Sequence, residues 1–192
     1  MVETDLADRD ITDREVLRVM GHVPRHRFLD PTQGKHAYQD RPVSIGRGQT
    51  ISQPYIVAFT AQVLQISPGD SLLEIGTGSG YSAAVYAELG ANVVSLERDR
   101  TLAWMARKRL AALGYERVEV IEGDGSLGCT DQAPFAAISV AAGAPEVPRS
   151  LVDQLEIGGR LVAPVGGRHS GQRLLRVLRT EKGAEVEDLL GV

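Results

Sequence analysis

Leu72-Leu-Glu-Ile-Gly-Thr-Gly-Ser-Gly-Tyr81 is the stretch of sequence that decides the fold. A short apolar segment typical of a buried strand comes first, three glycines at positions 76, 78 and 80 follow, and a helical pattern comes after them. Glycines at the end of a strand let the backbone turn sharply and approach a ligand, while the next helix presents unpaired N–H groups. The stretch predicts a strand, a ligand-binding turn and a helix, although a tight turn without a ligand would look similar.

Strand and helix patterns alternate on both sides of this stretch. Strands are predicted over residues 71–75, 92–96, 117–121, 135–140 and 160–165, and helices over residues 12–20, 54–65, 79–89, 100–113 and 147–155. Repeated alternation with apolar strands favours a mostly parallel sheet covered by helices on both faces. Two further strand patterns, 173–180 and 184–190, are separated by three residues, which permits only an antiparallel hairpin. The predicted fold class is α/β.

The chain length predicts a single domain. With 192 residues, of which 43% are hydrophobic, the chain can form one sizeable core and is too short for two. We divide residues 1–192 into an N-terminal helix and a substrate or cofactor loop (1–54), a cofactor-binding core (55–170) and a C-terminal hairpin (171–192). Residues 23–54 are rich in proline, glycine and polar residues, and a loop of that length in a compact domain usually carries function.

Composition excludes several classes of partner. The net charge is −4 and no stretch collects as many as five or six like charges, so nucleic acid is not expected. No apolar run reaches the roughly 18 residues of a membrane span. Cys129 is the single cysteine and the N-terminus has no apolar signal core, which predicts a cytoplasmic protein, and we expect a monomer. The histidines show no metal-ligand spacing, so no metal is expected; they are His22, His26, His36 and His169.

Acidic residues follow the next two predicted strands. Glu97, with Arg98 beside it, lies 21 residues after Gly76, where a carboxylate can accept hydrogen bonds from both ribose hydroxyls. Gly123-Asp-Gly125 comes directly after the third strand of this series. Each feature alone is typical of a surface acid or a plain turn. Three such features at three successive strand ends, all on one rim of the sheet, indicate a nucleoside site.

The glycine spacing separates two kinds of nucleoside cofactor. A dinucleotide fingerprint requires a glycine at the sixth position counted from Gly76, where this chain has Tyr81. The spacing Glu-x-Gly-x-Gly-x-Gly instead resembles the first motif of class I S-adenosylmethionine methyltransferases. The resemblance implies a Rossmann-like fold with a mostly parallel seven-stranded sheet and an S-adenosylmethionine cofactor. It places cofactor binding on Glu74, Gly76, Thr77, Gly78, Gly80, Glu97, Arg98, Asp124 and Gly125. Glu74 would orient the loop or the cofactor's amino group, or would cap nearby backbone amides.

A second motif precedes the glycine stretch by about 20 residues. Pro42-Val-Ser-Ile-Gly-Arg-Gly-Gln-Thr-Ile-Ser-Gln-Pro-Tyr55 resembles the signature of the protein-L-isoaspartate (D-aspartate) O-methyltransferase family almost residue for residue. Further matches are Val23-Pro-Arg-His-Arg-Phe28, Tyr38 with Asp40, Ala133-Pro-Phe135, Ala144-Pro-Glu-Val-Pro148 and Gly158-Gly-Arg-Leu-Val-Ala-Pro-Val-Gly166. The resemblance implies that Ser52 is the active-site residue. It also implies that the segment around Ser52 contacts the cofactor, through Gln49, Thr50, Ile51 and Ser52. Capping of the helix that begins at Pro54 is the alternative role for Ser52.

The chain departs from the family pattern at two places. Some family members contact the cofactor through a histidine five residues after the active-site serine, and Val57 stands there in this sequence. Family chains also continue past the position of Val192 into a strand with a Val-Pro pair that lines the peptide groove. The resemblance therefore implies either weaker peptide binding or a longer natural chain.

The resemblance implies an enzyme that esterifies the free α-carboxylate of L-isoaspartyl residues in damaged proteins and peptides, which initiates repair. The resemblance leaves open whether D-aspartyl residues are also methylated. A carboxylate with a pKa of about 4 is ionised at neutral pH, so methyl transfer needs no strong general base. Three alternatives remain: a related methyltransferase that esterifies one aspartate of a dedicated peptide, a non-catalytic module that binds S-adenosylmethionine or peptides, and a nicotinamide oxidoreductase.

Overall fold

The computed structural model describes residues 1–167 and 171–192. In this part of the chain the α-helices are α1 (Arg14–His22), α2 (Pro54–Leu64), α3 (Tyr81–Glu88), α4 (Arg100–Ala112) and α5 (Arg149–Val152). The strands are β1 (Val43–Gly46), β2 (Gln49–Ile51), β3 (Ser71–Ile75), β4 (Asn92–Glu97), β5 (Val118–Glu122), β6 (Phe135–Val140), β7 (Leu155–Val165), β8 (Arg173–Thr180) and β9 (Gly183–Gly191). The boundary proposed between residues 170 and 171 adjoins residues 168–170, which lie outside the described residues.

Seven of the strands form one sheet in the order β5-β4-β3-β6-β7-β8-β9. The strands from β5 to β7 run parallel, whereas β8 and β9 are antiparallel to their neighbours. The chain adds strands on one side of β3 up to β5 and then returns to place β6 on the other side. The predicted fold, a mostly parallel seven-stranded sheet with an antiparallel C-terminal hairpin, is confirmed.

The central strands are buried on both faces. Leu72 of β3 belongs to a cluster that includes residues of α1 to α4, whereas its neighbour Leu73 belongs to the cluster beneath α5. Val93 and Val94 of β4 divide between the same two clusters. Successive side chains of a strand point to opposite faces, so a strand covered on both sides is mostly apolar on both faces. This requirement explains the high apolar content of the central strands, in which Glu74 of β3 and Ser95 of β4 are buried polar residues.

All five predicted helices differ from the structure by one or more residues at their ends, and two of these differences have a clear physical cause. The first helix continues through Gly21 and ends at His22, because Pro24 restricts Val23 to the extended conformation in which the structure has it. The helix predicted over residues 147–155 is reduced to the four residues of α5. Leu155, the last residue of the predicted helix, instead begins β7, where it is fully buried and pairs with Phe135 of β6. At Leu155, the free energy gained by burial of the side chain against the sheet outweighs the helical spacing of the local sequence.

Residues 23–54 are more ordered than the predicted loop. Strands β1 and β2 form an antiparallel hairpin with its own two-stranded sheet. Its turn has positive φ at Gly46 (84°), Arg47 (56°) and Gly48 (70°), a conformation that glycine adopts readily. Short 3-10 turns precede the hairpin, at Arg25–Phe28 and Pro31–His36. The loop prediction was wrong over residues 43–51.

Replacement of Gly125 by alanine tests the packing that brings β3 and the segment after β5 together. A Cβ at Gly125 would lie 2.5 Å from Ile75 Cγ2, so we expect Gly125→Ala to lower the free energy of unfolding by about 1–3 kcal/mol. Gly34→Ala is the control, because a Cβ there would meet nothing within 4 Å. Urea unfolding measures both variants, and equal stabilities would contradict the expected close approach.

Candidate active site

A glycine loop follows β3 at the point where the strand order reverses, the usual ligand position in open α/β sheets. Gly76, Gly78 and Gly80 have φ values of 97°, 52° and 87°, which other residues rarely adopt. The amide of Gly76 donates to the carbonyl of Leu96 at the end of β4 (2.8 Å). A Cβ at Gly76 would lie 3.4 Å from the Cβ of Ala141, just after β6. The loop is therefore held between the ends of β4 and β6, with its backbone in a conformation that side chains would disturb.

Glu97 ends β4 beside this loop and is 7% exposed. One carboxylate oxygen accepts from the amide of Gly78 (2.8 Å) and the other accepts from the amide of Asp99 (2.9 Å). A carboxylate has about four lone-pair sites, so each oxygen can accept one more hydrogen bond. Glu97 thus orients the loop and can still bind two neighbouring hydroxyl groups.

Glu74 lies beneath the loop with 1% of its surface exposed. The hydroxyl of Ser95 donates to its Oε2 (2.5 Å), and the Ser95 hydroxyl is also hydrogen-bonded to that of Thr77 (2.5 Å). Its Oε1 is buried without a hydrogen-bond partner among the described residues. Burial raises the pKa of Glu74 to about 8, and the nearby Glu97 acts in the same direction. Glu74 therefore holds a proton over most of the neutral range, and the Ser95 hydroxyl of β4 connects it to Thr77 of the loop.

Asp124 and Gly125 follow β5, the strand beside β4. The Asp124 carboxylate accepts from the amide of Ser126 (2.9 Å), which lowers the pKa of Asp124, and attraction to the exposed Arg98 adds to this effect. The carboxyl ends of β3, β4 and β5 lie side by side. The prediction that these three strand ends lie on one rim of the sheet is confirmed. The contacts of the rim residues with a cofactor stay predictions.

The β1–β2 hairpin lies over the glycine loop. A Cβ at Gly78 would be 3.4 Å from Ile45 Cδ1 of the hairpin. The Nε of Arg47, in the hairpin turn, donates to the carboxylate of Asp99 (2.9 Å), the N-cap residue of α4. Strand β2 holds three of the predicted cofactor contacts, of which Ile51 is buried and the other two, Gln49 and Thr50, are exposed. The hairpin thus lies beside the glycine loop and is joined to the N-cap residue of α4.

Ser52 directly follows the hairpin and is partly buried. Its carbonyl accepts from the guanidinium of Arg25 (2.7 Å), while no hydrogen bond of its hydroxyl is found within residues 1–167 and 171–192. The N-cap residue of α2 is Gln53, and the carboxylate of Asp40 accepts from the amide of Tyr55 (2.9 Å). Asp40 therefore takes the capping role that was the alternative for Ser52, and the Ser52 hydroxyl is available to a ligand.

Sequence reasoning gave no role to Arg25 or Asp40, although both lie in stretches that match the family. Arg25 is fully buried, whereas Arg27, two positions later, is exposed, and nothing in the local sequence distinguishes them. Asp40 also accepts from the side chains of Gln53 (2.7 Å) and Arg9 (3.2 Å). These contacts span 13 and 31 residues, so only the folded chain reveals them.

The remaining predictions concern absences and one substitution. Among the described residues, which leave out His169, no group of three or more His, Cys, Asp or Glu could hold a metal ion. None of the helices within those residues has the length and apolar character that a membrane span requires. Val57, which stands where some family members have histidine, is 3% exposed and belongs to the hydrophobic core.

The fold and the rim together define a class I S-adenosylmethionine-dependent methyltransferase. The family model described as "Protein-L-isoaspartate(D-aspartate) O-methyltransferase (PCMT)" matches residues 1–192. The chain belongs to this family.

Two relatives are named protein-L-isoaspartate O-methyltransferase. The one from Protochlamydia amoebophila is 54% identical over 94% of this chain and 86% of its own length. The one from Pelobacter propionicus is 51% identical over 100% of this chain and 86% of its own length.

Two solved structures are also similar. A structure titled protein-L-isoaspartate O-methyltransferase matches with a TM-score of 0.89 and 28% identity, and this chain, covered completely, spans 64% of that chain. A Plasmodium falciparum structure, described as a beta-aspartate methyltransferase in complex with S-adenosyl-L-homocysteine, matches with a TM-score of 0.85 and 26% identity over 100% of this chain and 93% of that one.

The proton on Glu74 makes stability depend on pH. The folded protein keeps this proton up to about pH 8, whereas the unfolded chain loses it above about pH 4.5, so the folded state binds more protons between these values. We therefore expect the stability of the protein, relative to Glu74→Gln, to fall as the pH rises from 5 to 8. Urea unfolding at both pH values measures this difference, with Glu116→Gln, at an exposed position, as the control. A difference that stays constant would show that Glu74 is ionised in the folded protein.

Proposed function

We propose that this protein transfers a methyl group from S-adenosylmethionine to the free α-carboxylate of L-isoaspartyl residues in damaged proteins and peptides, which initiates their repair. The observation that carries the proposal is the placement of Ser52, whose hydroxyl lacks a partner among the described residues, beside the glycine loop in a chain that matches this family from end to end. We further propose that it acts in the cytoplasm, since the lone Cys129 cannot form an intrachain disulfide. We also propose that it is a monomer.

The residues of the rim fit S-adenosylmethionine. The glycine loop leaves room for the methionine part, and Glu97 can accept from both ribose hydroxyls with the lone pairs that the backbone leaves free. Asp124 would accept from the adenine amino group, with Gly125 and Arg98 beside it, and Gln49, Thr50 and Ile51 would cover the cofactor from the hairpin. When bound, the cofactor supplies a methyl group activated by a positively charged sulfur.

The protein's part in the chemistry is to hold the acceptor. The isoaspartyl carboxylate is ionised at neutral pH, so no residue has to remove a proton from it. We infer that the Ser52 hydroxyl donates a hydrogen bond to one carboxylate oxygen and leaves the other directed at the methyl group. Such alignment is worth several kcal/mol of a bimolecular barrier, of order 7–11 kcal/mol in the best cases. A reaction between an anion and a cation is favoured where water is excluded, and we infer that the hairpin helps to cover the bound reactants.

The substrate is tested with two synthetic peptides that differ only in having isoaspartate or aspartate at one position. We expect transfer of labelled methyl groups to the isoaspartyl peptide alone. S-Adenosylhomocysteine at 100 times its Kd should stabilise the protein by about 2.7 kcal/mol, and NAD should not. Stabilisation by S-adenosylhomocysteine without methylation of either peptide would redirect the search to a dedicated peptide acceptor, and stabilisation by NAD alone would point to an oxidoreductase.

Replacement of Ser52 by alanine tests its role. A hydrogen bond to a charged group contributes about 1.5–3 kcal/mol, so Ser52→Ala should lower kcat about 10- to 100-fold. The Kd of S-adenosylhomocysteine, measured by calorimetry, should change by less than about twofold, because this hydroxyl faces the acceptor. Ser67→Ala, in the exposed turn before β3, is the matched serine control. An equal loss of turnover and cofactor affinity in Ser52→Ala would indicate a disordered segment instead of a lost contact with the acceptor.

A further inference from the structure

Arg25 is a charged side chain that the fold encloses completely. It begins the 3-10 turn Arg25–Phe28 and none of its surface is exposed, whereas the next two residues, His26 and Arg27, are exposed. Arginine is almost never fully buried in a protein unless its charge is paired. Its position inside this domain therefore requires a reason.

The guanidinium of Arg25 joins three separate segments of the chain. Its Nε donates to the carbonyl of Ala37 (2.7 Å), ahead of the hairpin, and its Nη2 donates to the carbonyl of Ser52 (2.7 Å), between β2 and α2. Its plane also lies over the ring of Tyr81, with Cζ 4.8 Å from the ring centroid. Tyr81 is the first residue of α3 and directly follows Gly80 of the glycine loop. A single side chain thus fixes the backbone of Ser52 relative to the loop.

Stability alone is a poor explanation for this arrangement. No carboxylate of the described residues lies within 4.0 Å of the Arg25 guanidinium, and its Nη1 is buried without a hydrogen-bond partner there. Removal from water lowers the pKa of Arg25, which shows that the site disfavours its charge. An apolar side chain of similar size would avoid this cost but would leave the carbonyls of Ala37 and Ser52 without their donor. What only arginine supplies is a planar fork with fixed donor directions.

The same backbone segment is also held by Asp40. Its carboxylate accepts from the side chain of Gln53 and from the amide of Tyr55, the first and third residues after Ser52. Arg25 and Asp40 together therefore leave Ser52 little freedom to move. Precise placement has a kinetic value, because a displacement of about 1 Å at a reacting group can cost on the order of 100-fold in rate.

We propose that Arg25 is a positioning residue for methyl transfer, which acts by holding the backbone of Ser52 at a fixed place and orientation beside the glycine loop. This inference rests on the proposed role of Ser52 as the residue that orients the acceptor carboxylate. Arg25 itself touches neither the acceptor nor the cofactor. Its effect on the reaction passes through Ser52 alone.

The test is a double-mutant cycle of Arg25→Lys and Ser52→Ala. Lysine keeps the charge but cannot bind both carbonyl groups through a rigid fork, so Arg25→Lys should lower kcat about tenfold. The KM for the isoaspartyl peptide and the Kd of S-adenosylhomocysteine should each change by less than about twofold. Because Arg25 acts through Ser52, the double variant should be no slower than Ser52→Ala alone.

Arg179→Lys is the matched control. The guanidinium of Arg179 also joins two backbone carbonyl groups, those of Asp153 and Leu155. Leu155 begins β7, at the end of the parallel strands opposite to the rim. This variant loses the same kind of contact at a distance from Ser52, so its kcat should match that of the unmodified protein.

The results that would contradict each role can be distinguished from one another. Unchanged turnover in Ser52→Ala would overturn the role of Ser52, whereas losses that multiply in the double variant would overturn the role of Arg25 alone. A fall of kcat that is matched by a fall in S-adenosylhomocysteine affinity would also overturn it. If Arg25→Lys shows no cooperative thermal transition, the cycle uses Arg25→Gln, whose amide can reach one carbonyl. Loss of folding in both variants would overturn the proposal, because Arg25 would then be required by the whole fold.

Discussion

The parallel pairing of β3 with β4 on one side and with β6 on the other is the constraint on which the site depends. It brings the glycine loop after β3 against Leu96 of β4 and Ala141 after β6. It also places Glu97 where one carboxylate can accept from the amide of Gly78. Every other element of the site, including the hairpin and the segment of Ser52, is arranged around the loop that this pairing fixes.

The rim also shows how surroundings determine the charge of chemically similar groups. Glu74 lies in β3 and Asp124 follows β5 of the same sheet, yet burial raises the pKa of the first and a backbone amide lowers the pKa of the second. The proton on Glu74 lets a carboxyl group lie beneath the loop without a buried negative charge. The ionised Asp124 remains at the surface, where water and Arg98 stabilise it.

The sequence was sufficient for the features that depend on local pattern. Apolar segments predicted the central strands, and the glycine spacing predicted the loop. The short separation between the last two strand patterns predicted the C-terminal hairpin. The β1–β2 hairpin was missed because its three- and four-residue strands have too few positions to show alternation. Arg25 was missed because its burial depends on Ala37, Ser52 and Tyr81, which are distant in sequence. The cofactor and acceptor contacts of the site residues stay predictions.

The β1–β2 hairpin has no backbone ladder to the seven-stranded sheet, since the two strands form a separate sheet. It is attached by its side chains Val43 and Ile51, which are buried in the hydrophobic core, by Ile45, and by the ion pair of Arg47 with Asp99, in which the Arg47 side chain is 57% exposed. Exposed ion pairs contribute about 0–1 kcal/mol and weaken with salt. The buried side chains, and not this exposed ion pair, therefore hold the hairpin over the rim, so the position of the hairpin should depend little on ionic strength.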